Sequence, residues 1–219
     1  MERWVTFDCY GTLIDWDAGV REALTRLWPE ADPQVLLARY HEVEPGLESD
    51  GAATYRQVLS AAVPAIAGLE GLAVADGRGS TLAESLPDWP MFPETAASLT
   101  ELRARGWRIA ILSNTDPDYL DASLAAIGVP VDLRVVASAI GSYKPAPGHW
   151  DTFFRLTQAD RARHVHVAAS LFHDIEPCAA LGIPSVWINR LGEVSSVPRA
   201  GESADLTRIA DVLDALVVA

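Results

Sequence analysis

Strand-like and helix-like segments alternate along this chain with one long interruption, and that interruption constrains the fold more than any other feature. Short apolar, β-prone runs lie at 3–7, 107–113, 133–137, 164–170 and 184–188, and helical patterns follow at 94–105, 117–126, 147–156, 174–181 and 206–217. Such alternation predicts an α/β fold: a doubly wound, Rossmann-like parallel sheet with helices on both faces. Residues 15–89 break the pattern. They carry only helical signals, at 17–28, 33–43 (with Asp32 as a cap), 54–66 and 80–86, and residues 71–80 read as a surface loop. Pro87, Pro90 and Pro93 then stiffen the return to the sheet. The expectation is a helical cap domain at 15–89 inserted into a core domain made of 1–14 and 90–219. A cap of this kind closes over a site and excludes water.

Composition narrows the classes of function. The 219 residues include 30 acidic and 17 basic side chains, a formal net charge of −13. Without a basic patch, neither nucleic acid nor an anionic membrane is an expected partner. At 49% hydrophobic and 21% charged the balance is that of a globular chain. No run is apolar enough to predict a membrane-spanning helix. Met1-Glu2-Arg3-Trp4 has no leader-like character, and Cys9 and Cys178 are too few for a disulfide framework, so the cytoplasm is the expected compartment.

Four groups fall at or just past the carboxyl ends of expected strands: Asp8 with Thr12, Ser113-Asn114, Lys144 and Asp174. A parallel sheet gathers such positions into one crevice. Their chemistry is complementary. A carboxylate, Asp8, serves as a covalent nucleophile when a cation such as Lys144 keeps it ionised. The Thr12 and Ser113 hydroxyls and the Asn114 amide suit the holding of carboxylates, and Asp174 is then free to orient or activate water.

The run Phe7-Asp8-Cys9-Tyr10-Gly11-Thr12-Leu13-Ile14-Asp15, with Leu112-Ser113-Asn114, Lys144-Pro145 and the late Asp174, resembles the four ordered motifs of the haloacid dehalogenase superfamily. The resemblance spans essentially the whole chain and is nearest to the L-2-haloacid dehalogenases. Phosphatases of the superfamily usually have a second Asp two residues after the nucleophile, and here that position is Tyr10. They also place an acidic residue, a Mg²⁺ ligand, five before the late Asp, and here that is Ala169. A halide leaving group needs no proton, so both departures favour carbon–halogen cleavage without a metal.

The resemblance implies a small 2-haloacid substrate and an aspartyl-ester intermediate on Asp8. It also implies Thr12, Lys144 and Asp174 as catalytic groups, Tyr10, Ser113 and Asn114 as substrate contacts, and a homodimer as one assembly. Arg39, 31 residues after Asp8, matches an arginine implicated in binding the departing halide, with Asn114 beside it. Trp150 stands where the family has a tyrosine. The Ser-x-Asn that usually precedes the late Asp is replaced by Ala169 and Leu171.

Plainer readings exist for each residue. Asp8, Ser113, Asn114 and Asp174 are all common helix or turn caps, Lys144 fits a solvated loop, and Arg39 on a helix fits half of a surface ion pair. His164 and His166 alternate on one strand face but lack a third metal ligand, and read as packed, neutral side chains. Cys9 reads as a buried thiol, and Trp16 and Trp89 flank the ends of the helical insertion. Two rival functions share the fold: a Mg²⁺-dependent phosphatase, and a non-catalytic member that binds a small carboxylate or a protein.

Overall fold

The computed structural model describes residues 2–48 and 53–217. Six parallel strands form one sheet: β1 (Arg3–Phe7), β2 (Trp107–Ser113), β3 (Leu133–Val136), β4 (His164–Ala168), β5 (Ser185–Ile188) and β6 (Gly201–Ser203). Their order is β3-β2-β1-β4-β5-β6, so the chain leaves β1 toward one edge and returns to the other side of β1 at β4. That reversal is the topological switch point, where open α/β sheets form a crevice beyond the strands' carboxyl ends.

Both faces of the sheet are covered, as the near-continuous apolar strands require. Val5 and Phe7 join Ile109, Ile111, Val165 and Val167 in one buried cluster, while Trp4, Ala110 and Leu112 join Trp150, Phe153 and Cys178 in another. The first face is packed by α5 (Thr95–Ala104) and α10 (Ile209–Leu216), the second by α8 (Gly148–Thr157) and α9 (Glu176–Leu181). The remaining helices of this half are α6 (Pro117–Ile127) and the single turn α7 (Ala137–Ile140).

Between β1 and β2 come α1 (Trp16–Leu27), α2 (Pro33–Glu48), α3 (Tyr55–Glu70) and α4 (Thr81–Ser85), with no strand among the described residues. Their buried side chains, such as Leu24, Leu36, Leu59 and Leu82, are continuous with the first sheet cluster. The two parts are also tied by polar contacts. Asp116, just before α6, accepts from the backbone N–H groups of Tyr55 (3.1 Å) and Arg56 (2.9 Å), supplying an acceptor and a negative charge to the α3 N-terminus. Thr54 and Gln57 complete a capping box there. Gly19 faces Trp89 so closely that a Cβ would lie 2.3 Å from the indole, so the insertion closes on its own exit only with glycine at that position.

The structure differs from the sequence expectations in several places. Strand β6 was not anticipated: three residues, Gly-Glu-Ser, carry no apolar signal, and the edge pairing with β5 alone makes them a strand. Strand β4 ends at Ala168 rather than at 170. The helix expected at 174–181 is a π-helical turn, Leu171–Ile175, followed by α9. Helix α2 runs to Glu48 instead of stopping at 43, because Pro45 lies inside it without ending it.

Candidate active site

Asp8 follows β1 directly. Its loop folds back on itself: Gly11 takes φ +88°, a conformation that other residues adopt only under strain, and the backbone N–H groups of Leu13 and Ile14 both donate to the Cys9 carbonyl. This turn brings Thr12 back to the nucleophile position, where its hydroxyl donates to Asp8 Oδ2 (3.0 Å) and accepts from the Ala169 N–H (2.9 Å). Asp8 is thus held between the loops after β1 and β4.

Lys144 arrives from the segment between α7 and α8, through a cis Lys144-Pro145 peptide. Its ammonium, 1% exposed, donates to Asp8 Oδ1 (2.8 Å), Asp174 Oδ1 (2.7 Å) and the Leu112 carbonyl (3.0 Å). Asn114 fixes the lysine's backbone from both sides, its Nδ2 donating to the Lys144 carbonyl (2.9 Å) and its Oδ1 accepting from the Lys144 N–H (2.7 Å).

The electrostatics follow from one cation shared by two buried carboxylates. Burial disfavours the lysine's charge, but Asp174 and Asp8 together outweigh that and hold it above the usual ammonium range. Burial likewise acts against the charge on Asp174, yet Lys144 and the His166 hydrogen bond bring it well below the carboxylate range. Asp8 carries the residual upward shift: burial raises it, Lys144 opposes, and the Asp174 charge adds to the rise. The three groups titrate as a unit: Lys144 is charged, Asp174 ionised, and Asp8 the more basic and more nucleophilic carboxylate.

These residues border a cavity of about 220 Å³ lined also by Tyr10, Trp16, Glu44, Glu48, Tyr55, Ser113, Asn114, Ser170 and His173. A second cavity of about 450 Å³ adjoins it and shares Tyr10, Trp16 and Ser170. A third hollow of about 630 Å³ between α6 and β3 holds none of the site residues. The Tyr10 ring lies against Tyr55 (centroids 6.1 Å apart) and edge-on to Trp89 (5.8 Å), and its hydroxyl pairs with Ser123 (3.1 Å).

Of the nine site residues expected from sequence, Asp8, Tyr10, Thr12, Ser113, Asn114, Lys144 and Asp174 come together here. Two do not. Arg39 projects from the outer side of α2, with its side chain 40% exposed, and pairs with Glu42 (2.7 Å) and Glu70 (2.5 Å), the surface ion pair of its plainer reading. Trp150 is 1% exposed inside the second core cluster, edge-on to His166 (5.4 Å), and does not line the cavity. Asn114 lines the cavity, and one N–H of its amide together with its Oδ1 holds the Lys144 backbone.

The wall facing the nucleophile is acidic instead of basic. Tyr40, Glu44 and Glu48 recur every four residues and so share one face of α2. Glu44 Oε1 accepts from the hydroxyls of Tyr40 (2.8 Å) and Tyr55 (3.3 Å). Burial raises the Glu44 carboxyl to about 7 despite those bonds. Burial and the Glu44 charge raise Glu48 to about 8. Ending the helix at 43 hid both residues; the spacing of Tyr40, Glu44 and Glu48 was the signal that identifies them.

The donor set does not fit a hard divalent cation. Among the described residues only Asp8 and Asp174 offer carboxylates at the position between the loops, Tyr10 and Ala169 supply none, and the Lys144 ammonium occupies the point where both Oδ1 atoms converge.

The comparisons with known proteins agree with this fold. A model of the haloacid dehalogenase-like hydrolase family matches residues 2–182. An (S)-2-haloacid dehalogenase of Pseudomonas sp. (strain YL) is 26% identical over 207 residues, covering 87% of this chain and 84% of its own. A phosphoserine phosphatase of Thermus thermophilus is 29% identical over 190 residues, covering 80% and 72%. The fold superimposes on an L-2-haloacid dehalogenase from Xanthobacter autotrophicus with chloropropionic acid covalently bound, at TM-score 0.84 and 20% identity over 97% of this chain and 98% of that one. With an aspartate after β1, a lysine between two carboxylates and a family model spanning most of its length, the chain belongs to the haloacid dehalogenase-like hydrolases.

Proposed function

We propose that this protein hydrolyses the carbon–halogen bond of small 2-haloalkanoic acids, acting in the cytoplasm without a metal cofactor. One observation carries the reading: beside Asp8 the loops after β1 and β4 present Tyr10 and Ala169, which supply no carboxylate to a divalent ion. The relatives named for 2-haloacid dehalogenation support it.

In the first step an Asp8 carboxylate oxygen attacks the halogen-bearing carbon, and the halide departs with the bonding electron pair. Thr12 and Lys144 orient the attacking group. In the second, water adds to the ester carbonyl of Asp8, the Lys144 ammonium stabilises the oxyanion, and the 2-hydroxy acid leaves. Trp16 lines the cavity, and its indole N–H, buried and without a hydrogen-bond partner among the described residues, is the donor proposed for the departing halide in place of Arg39. The insertion at 15–89 acts as the cap domain over the core, contributing Trp16, Glu44, Glu48 and Tyr55. A homodimer stays an expectation of the family resemblance.

The test is halide release from L- and racemic 2-chloropropionate with EDTA present. Release that survives EDTA supports the proposal. Phosphate release from phosphomonoesters with Mg²⁺ and no halide release contradicts it, and stabilisation by small carboxylates without either activity identifies a binding protein.

A further inference from the structure

Under the carboxyl edge of the sheet runs a line of buried polar groups that the reaction outlined above does not use. Thr6 on β1 is paired in register with His166 on β4, and Thr6, His164 and His166 are all fully buried. Thr6 Oγ1 lies 2.9 Å from His164 Nε2 and 2.8 Å from His166 Nδ1. His166 Nε2 lies 2.9 Å from Asp174 Oδ1. The Trp150 ring, edge-on at 5.4 Å, packs the imidazole in place.

Counting donors and acceptors gives this line a direction. Asp174 is ionised and only accepts, so His166 Nε2 carries a hydrogen and donates to it. Burial, with the neighbouring His166 and Arg161, depresses His164 to about 3, which leaves it a neutral ring with one N–H. Its Nδ1 has no partner among the described residues, so the hydrogen sits on Nε2 and goes to the Thr6 oxygen. The Thr6 hydroxyl hydrogen is then committed to His166 Nδ1. Every donor points the same way, from His164 through Thr6 and His166 to Asp174.

The consequence appears at the end of the line. Asp174 Oδ1 receives two hydrogen bonds, from Lys144 and His166, whereas Oδ2 has no partner among the described residues although Asp174 is 0% exposed and borders the cavity. Position 169 is Ala and position 171 is Leu, so neither side chain offers Asp174 a polar contact.

We propose that His166, aligned by Thr6, is a positioning residue for the hydrolytic half-reaction: it holds Asp174 in the one orientation that leaves Oδ2 free to receive the attacking water. The proposal rests on the aspartyl-ester reading. As water oxygen bonds to the ester carbonyl carbon, its proton passes to Asp174 Oδ2. When the C–O bond to the product breaks, the alkoxide takes that proton and leaves as the 2-hydroxy acid. Asp8 is left as a carboxylic acid and returns to the carboxylate beside Lys144 by losing a proton to solvent. His166 keeps its own hydrogen throughout, so its effect falls on ester hydrolysis and not on ester formation.

The experiment compares native enzyme with His166→Leu and His166→Gln on 2-chloropropionate, following halide in the first turnover, steady-state kcat, and the mass of the intact protein. A glutamine side-chain N–H can replace the Nε2–H toward Asp174, whereas leucine cannot. His166→Leu is expected to release about one equivalent of halide per site at the native rate, to accumulate the ester as added mass on Asp8, and to lose steady-state turnover by about 10- to 100-fold, the range typical of lost outer-shell support. His166→Gln is expected to recover most of that loss. Burst and turnover falling together, or neither falling, overturns the proposal, because a merely structural histidine affects both steps alike.

A native enzyme that releases no halide and forms no adduct marks instead the failure of the dehalogenase reading, on which the proposal depends. Nitrogen-15 NMR of labelled histidine checks the relay without substrate: the Nε2–H tautomer at His166 is expected, and the Nδ1–H tautomer overturns it.

Discussion

Lys144 Nζ and Asp8 Oδ1 lie 2.8 Å apart although 136 residues separate them in sequence, and both side chains are almost withdrawn from water. A buried carboxylate of this kind is stable only while its cation is present. The same ammonium neutralises Asp174, so one side chain keeps both reacting carboxylates from repelling each other.

Removing that ammonium is therefore expected to damage fold and chemistry together. Lys144→Met strands two buried carboxylates, a loss of about 3–5 kcal/mol, which for a chain of this length lowers Tm by roughly 10 °C. Turnover disappears as well, because Asp8 takes up a proton instead of attacking. Thermal denaturation and halide release on the same preparation check this; a Lys144→Met protein with native Tm and native turnover would falsify the assigned role of the ion pair.

The acidic wall predicts a pH dependence with a definite sign. Glu44 and Glu48 have folded values of about 7 and about 8, against an ordinary 4.5. Both are therefore largely protonated below pH 7 and ionise as pH rises through 7 and 8. Glu44 is faced by the Tyr40 and Tyr55 hydroxyls, His41 and Asp17, and Glu48 by Glu44, Lys144 and His173. The lysine is already shared by Asp8 and Asp174, so the new charges meet an anionic substrate with little compensation. KM for 2-chloropropionate should rise about 10-fold from pH 6.5 to 9, a shift on the scale of one pK unit of interaction, and Glu48→Gln should flatten that rise. A KM independent of pH across this range contradicts the account.

Stability should fall over the same interval. A carboxyl whose folded value is raised above its unfolded value favours the folded state fully at pH below about 4.5, and that contribution is lost as pH rises through the folded values of about 7 and 8. Melting curves at pH 6 and pH 9 are expected to show the higher Tm at pH 6, with Glu44→Gln narrowing the difference; equal Tm values at the two pH values would refute it.

Arg39 provides the converse test. Its guanidinium pairs with Glu42 and Glu70 outside the cavity, so Arg39→Ala should leave kcat and the halide inhibition constant within about 2-fold of native, as for other exposed ion pairs. A loss of halide affinity of about 100-fold or more would restore this residue to the site.

The sheet and most of the site were legible because they depend on local signals. Five strands announced themselves as apolar runs, and Asp8, Thr12 and Asp174 sit in the turns that follow β1 and β4, while Lys144 comes from the segment between α7 and α8. What escaped depended on context. Strand β6 has no pattern of its own and exists through pairing with β5. Glu44 and Glu48 became visible only when α2 was found to continue through Pro45. Arg39 has the right sequence distance from Asp8 but the wrong side of a helix, a rotation that spacing alone does not give. His166 was correctly read as packed and buried, yet its bond to Asp174 needs the π-helical turn that carries Asp174 and the sheet register beside Thr6.

The most direct test of the central claim is intact-protein mass spectrometry, with peptide mapping, on enzyme quenched during turnover of 2-chloropropionate. Attack by Asp8 predicts a 1-carboxyethyl ester on the peptide containing Asp8, absent in Asp8→Asn, and transfer of oxygen-18 from labelled water into the Asp8 carboxylate. Halide release with oxygen-18 found only in the 2-hydroxy acid during a single turnover, and no label ever reaching Asp8, would mean that water attacks the substrate directly and that Asp8 is not the nucleophile.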